Sequence, residues 1–208
     1  VLGSSTSAGT GPKHPANGWV ERYRSYLKTE FPNFRLTNLA LGGYTTYHIQ
    51  ASDFVPPAGR PPPDQARNIT FALSLKPDAL IINMPTNDTN ANYSAVDQLA
   101  NFDRVTQLAK QSGIACWVTT TQPRNFVGDP PATQQTKRGL LVSMNDSLKQ
   151  KYGDHALDFW TQLAEPNGKL KATWDAGDGT HMNDAAHALL AREVIDAKIP
   201  EAILTSKR

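Results

Sequence analysis

A single cysteine in 208 residues leaves no partner for an internal disulfide. Cys116 lies inside the apolar run 114–118, where a buried, inert thiol is the ordinary reading. No apolar run approaches the roughly 18 residues that mark a membrane-spanning helix, which excludes a helical span. Strong charge of one sign is also missing. Twenty-one basic residues against 19 acidic ones leave a formal charge of +2, too little to draw nucleic acid or acidic lipid, so no nucleic-acid partner is expected. There is no HExxH or CxxC pattern, and His14, His48 and His155 have no partner at metal-ligand spacing; no metal and no cofactor are expected. Internal repeats, charge blocks and composition breaks are absent too. That predicts one domain over 1–208, long enough to bury a substantial core. Val1 stands where an initiator Met would be, only two residues before Gly3, so a segment removed from upstream is expected: a signal peptide, a neighbouring domain or a cut boundary.

What the chain does have is alternation. Short β-rich apolar runs at 1–2, 34–41, 79–84, 115–120 and 156–159 are separated by helical stripes. Trp19, Tyr23, Tyr26 and Leu27 share one helical face; Leu99, Phe102, Val105 and Ala109 form a second stripe, and Leu140, Leu141, Met144 and Leu148 a third. Asn183 reads as the cap of a last helix that buries His187, Leu190, Ala191 and Val194, His187 being a packing residue there. Strands alternating with helices predict an α/β fold: a three-layer α/β/α sandwich, flavodoxin-like, with a central parallel sheet of about five strands. Two stretches fall outside the alternation, 51–63 with five prolines and 121–132 with three. Both read as long loops at the carboxyl edge of the sheet, where ligands of open α/β folds bind.

Four short segments carry chemistry. Ser5 follows the first strand in a glycine-bounded turn, where nearby unpaired amides favour a developing negative charge. Asp178 precedes His181 by three residues in a turn with Gly177 and Gly179. That spacing lets the carboxylate hold one imidazole nitrogen protonated and leaves the other to take a serine proton. Asn87 ends the segment Pro85, Thr86, Asn87 directly after a predicted strand, where an amide donor can meet an oxyanion. Gly42 and Gly43 end the run that reaches Leu41, and a missing side chain lets a backbone amide approach a ligand. Each segment taken alone has an ordinary reading as a turn or a helix cap.

Taken in order, the four segments resemble the conserved blocks of the SGNH, or GDSL-type, hydrolases, and they span nearly the whole chain. Gly3, Ser4, Ser5, Thr6 is similar to the first block and 38–45 to the second; Pro85, Thr86, Asn87, Asp88 is similar to the third and Asp178, Gly179, Thr180, His181 to the last. The resemblance implies Ser5 as nucleophile, His181 as base and Asp178 as its orienter, with an oxyanion hole from the Ser5 amide, the Gly43 amide and the Asn87 side chain. Register with the first block selects Ser5 over Ser4 and Ser7. Two departures stand out: Ser4 replaces the usual Asp and Pro85 the usual Gly.

The resemblance implies a serine esterase. Tyr44, Tyr47, Phe54, Arg60, Arg124 and Phe126 in or near the loops mix aromatic faces with guanidinium groups, suited to sugar rings or carboxylated glycans. Tyr44, Arg60 and Arg124 are the substrate-binding candidates. A short acyl ester, acetyl first, on a carbohydrate is the expected substrate, and a glycan substrate would favour a secreted or periplasmic location. The alternatives are a lipase or lysophospholipase, an acyltransferase using the same site, or a non-enzymatic phosphate- or flavin-binding module built on 4–11. The last lacks GxxxxGK[ST] spacing and gives Asp178 and His181 no role.

Overall fold

The computed structural model describes residues 1–206. Four parallel strands, β1 (Leu2–Gly3), β2 (Ala79–Asn83), β3 (Ala115–Thr119) and β4 (Ala156–Leu157), form one sheet in the order β1-β2-β3-β4. Ile82 is level with Leu2, Trp117 with Ile81 and Ala156 with Val118. The helices are α1 (Ser5–Ala8), α2 (Trp19–Glu30), α3 (Ile69–Ser74), α4 (Asn87–Asn90), α5 (Ala95–Gln111), α6 (Pro131–Tyr152), α7 (Asp184–Asp196) and α8 (Ile199–Ser206). None of them is long and apolar enough to cross a membrane.

Because successive strand residues point to opposite faces, each strand feeds two cores. Ile81, Trp117 and Leu157 pack with Trp19, Tyr23 and Leu27 of α2, Leu190 and Val194 of α7, and Ile199 and Ile203 of α8. Leu2, Leu80, Ile82 and Val118 face the other way, onto Ile69 and Ala72 of α3, Phe102 and Val105 of α5, and Met144 and Leu148 of α6. The result is the α/β/α layering expected, and each large apolar side chain so buried contributes about 1.5–3 kcal/mol. Asn183 accepts the Ala186 amide at 3.1 Å and starts α7. Pro131, with its fixed φ and no amide to waste, opens α6 and so shortens the 121–132 loop by two residues.

The sheet has four strands where about five were expected, and the difference lies in 34–41. This segment runs beside β1 through three bonds in the two-residue step of a parallel pair, without completing a strand: the Val1 amino group to the Thr37 carbonyl at 2.7 Å, the Leu39 amide to Val1 at 2.9 Å, and the Leu41 amide to Gly3 at 3.2 Å. On the edge facing away from β1, the Asn38 side-chain oxygen turns back onto the Ala40 amide at 3.1 Å, and its amide group donates to the Ser7 carbonyl at 2.8 Å. The Asn38 bond to Ser7 moors this segment to α1, two residues beyond Ser5.

Candidate active site

The carboxyl ends of β1, β2 and β3 deliver three of the site's walls, and the turn before α7 the fourth. After β1 the Ser4 amide still bonds to the Asn83 carbonyl at 3.1 Å, and Ser5 then opens the short α1. The three neighbouring serines part company here. Ser7 is buried and donates to Asn83 Oδ1 at 2.7 Å, and Asn83 in turn donates to Thr119 Oγ1 at 2.7 Å. Ser4 is buried with a hydroxyl that meets no partner. Ser5 alone is half-exposed, with Oγ 3.0 Å from His181 Nε2.

His181 Nδ1 lies 2.6 Å from Asp178 Oδ2. With a carboxylate on that side, Nδ1 carries the proton and Nε2 is free to accept one from Ser5. Asp178 is itself fixed: its other oxygen accepts the Thr180 and His181 amides, each at 2.8 Å. Burial pushes the Asp178 carboxyl upward, but the hydrogen bonds from the His181 ring and from these two amides outweigh it and hold the group below the usual range. A residue not singled out from the sequence, Asp175, builds the turn. Its carboxylate gathers the amides of Gly177, Asp178 and Gly179 at 2.7–3.1 Å, the short-range Asp-x-Gly capping that its spacing would have signalled. The turn touches the first loop at Gly11, whose α-carbon faces the Met182 carbonyl so closely that a Cβ would sit 2.2 Å from it.

Opposite them, Gly43 adopts φ +84° at the end of the segment that bonds to β1, and Gly42 comes within reach of Ser5: a Cβ there would lie 3.9 Å from the Ser5 Cβ. Asn87 Nδ2 donates one hydrogen to the Tyr44 carbonyl at 2.9 Å, leaving its second for a ligand. Its neighbour Asp88, named in the third block but given no role there, is fully buried and grips the Thr46 amide with both oxygens at 3.0 and 3.1 Å; burial pushes its carboxyl up to about 6 against the pull of those bonds. Asn101 donates to Thr46 Oγ1 at 2.8 Å. Two consecutive residues after β2 thus hold the Gly43 turn in place.

The three substrate-binding candidates separate. Tyr44 is buried, stacks on His48 with ring centres 4.5 Å apart, and hydrogen-bonds Asp64. Its side chain is directed into the protein because the ring completes the core under α3. Arg60 lies over the Tyr93 ring, 4.0 Å from its centre, and 3.5 Å from Asp97, so its charge is already partnered. Arg124 Nη1 reaches Thr86 Oγ1 at 3.4 Å, beside Asn87.

A family model settles what kind of protein carries this arrangement: the GDSL-like lipase/acylhydrolase family matches residues 1–189. The chain belongs to that family. It is therefore a GDSL-type carboxylic ester hydrolase. Solved structures of several esterases resemble its fold at low identity. A psychrotrophic esterase, EstA, from Pseudoalteromonas sp. is 17% identical with a TM-score of 0.66, over 94% of this chain and 93% of its own. An acetyl xylan esterase is 16% identical with a TM-score of 0.63, over 95% and 98%. A two-domain esterase active on acetylated mannans is 18% identical with a TM-score of 0.61, over 94% of this chain but 46% of that one. No curated protein matches the sequence significantly.

Proposed function

We propose that this GDSL-type hydrolase removes short acyl groups, acetyl first, from carbohydrate esters by way of Ser5, His181 and Asp178. The observation that carries the reading is the unbroken hydrogen-bond chain from Ser5 Oγ to His181 Nε2 at 3.0 Å and from His181 Nδ1 to Asp178 Oδ2 at 2.6 Å. Ser5 Oγ attacks the ester carbonyl as His181 accepts its proton. The Ser5 and Gly43 amides and the free hydrogen of Asn87 Nδ2 stabilise the resulting oxyanion, and loss of one such donor costs about 10²- to 10³-fold in turnover. His181 passes the proton to the departing alcohol, leaving an acyl-serine. A water that gives its proton to His181 then releases the acid and restores Ser5.

Acetyl and carbohydrate are favoured because two structures of similar fold are an acetyl xylan esterase and an esterase active on acetylated mannans. The test is direct. A fluorophosphonate probe should label the wild type and leave Ser5→Ala unlabelled, with p-nitrophenyl acetate hydrolysis in that variant falling by at least 10³-fold. Labelling that persists without Ser5 would reassign the nucleophile. Faster release of long-chain acids than of acetate from a chromogenic series would turn the substrate toward lipids.

A further inference from the structure

Arg124 is triangulated by its neighbours. Two residues before it, buried Gln122 accepts a hydrogen bond from Thr6 Oγ1 at 2.8 Å, next to Ser5. One residue after it, the Asn125 amide donates to the Gly179 carbonyl at 2.7 Å, next to Asp178. The Arg124 guanidinium itself meets Thr86, next to Asn87. Three segments of the proposed site are thus bonded to residues 122–125, one of them to the Arg124 side chain itself.

That side chain is poorly compensated. It is half-buried, its Nε has no hydrogen-bond partner, and among the described residues it has no carboxylate within ion-pair distance. Arg60 differs in having Asp97. The Arg124 guanidinium rests 5.2 Å from the centre of the buried Phe126 ring, and Phe126 holds φ +55°, a left-handed backbone that costs a bulky residue about 1–3 kcal/mol. A strained platform under a cation stripped of part of its water is a costly arrangement unless something anionic completes it. A planar guanidinium with free donors matches a carboxylate, which it can bind through two parallel hydrogen bonds. Burial lowers its pKa, against the smaller upward pull of the Asp178 and Asp129 carboxylates, neither of which is within ion-pair distance.

We infer that Arg124 is the recognition residue for a carboxylate on the alcohol part of the ester, which narrows the substrate to acyl esters of acidic alcohols such as uronic-acid sugars. The alcohol side is chosen because the leaving oxygen must take its proton from His181, and the Arg124 loop is bonded to the turn that carries Asp178 and His181. The inference rests on the esterase reading above and adds the substrate's charge to it.

The test compares two acetyl esters of nearly equal shape, 4-acetoxybenzoate and its neutral counterpart 4-acetoxybenzamide, each enzymatic kcat/KM divided by the ester's own hydroxide rate. At low salt the wild type should favour the anion by about 10-fold or more, the size of one charge-assisted pair. Arg124→Gln should lower that ratio about 10-fold and Arg124→Lys should restore part of it. A wild-type ratio near one, or a Gln variant that slows both esters equally, overturns the inference. If the variants do not fold, the wild type still decides: benzoate should slow fluorophosphonate labelling and benzamide should not, and equal effects reject the carboxylate site. Failure of the esterase reading looks different, since an unlabelled protein that hydrolyses neither ester has lost the reaction and not merely its selectivity.

Discussion

At the scale of single residues, the three serines of the first turn make separable predictions because their hydroxyls meet different surroundings. Ser7→Ala strips the buried Asn83 Oδ1 of its donor, and an acceptor left unpaired away from water costs about 1–3 kcal/mol. Ser4→Ala removes a hydroxyl that has no partner, so stability should stay within about 0.5 kcal/mol of wild type or rise. Urea denaturation of both variants checks the contrast; equal losses would show that these hydrogen bonds do not govern the turn. The sequence placed three serines in one turn and the block register singled out one. It could not show where the other two hydroxyls go, because Asn83 and Thr119 arrive from two other strands. Arg60 was opaque for the same reason: a guanidinium in a proline-rich loop is visible in the sequence, but its partners Tyr93 and Asp97 lie more than thirty positions away.

At the scale of elements, local periodicity was readable and edge geometry was not. Trp19, Tyr23 and Leu27, or Phe102, Val105 and Ala109, are buried as their spacing required, since a helix face follows from neighbours three and four apart. The run 34–41 has strand composition and lies along β1 through three bonds, yet it stops short of a fifth strand, which composition alone does not reveal. The turn before α7 depends on a contact of another kind. At Gly11 the chain has φ +112°, and a methyl group would stand 2.2 Å from a backbone oxygen at Met182, which cannot swing aside as a side-chain tip would. Gly11→Ala should therefore push the His181 turn away from Ser5. Because misplacement by about 1 Å costs about 10²-fold, turnover of p-nitrophenyl acetate should drop by that order while KM changes much less. A variant with normal turnover would mean that the two loops are not held together at this point.

At the scale of the whole molecule, the site exists only if the two ends of the chain meet, and His187 sits at that seam. Its Nδ1 accepts the Trp19 amide at the start of α2 at 3.0 Å, and its Nε2 faces the Thr10 carbonyl at 3.3 Å, so a neutral ring with the proton on Nε2 joins α7 to the first loop and to α2. Burial lowers its pKa from 6.5 to about 4, against the smaller upward pull of the Thr10 carbonyl. Below pH 6.5 the unfolded imidazole takes a proton that the folded one refuses until about pH 4, so the unfolded state gains and stability falls across that interval. The full difference corresponds to roughly 3 kcal/mol, present above pH 6.5 and lost toward pH 4. His187→Gln retains an acceptor and a donor but does not titrate, so the stability gap between wild type and variant should shrink by about that amount between pH 7 and pH 4. Chemical denaturation at several pH values measures it, and a gap that stays constant would mean that His187 does not titrate as a neutral, buried ring.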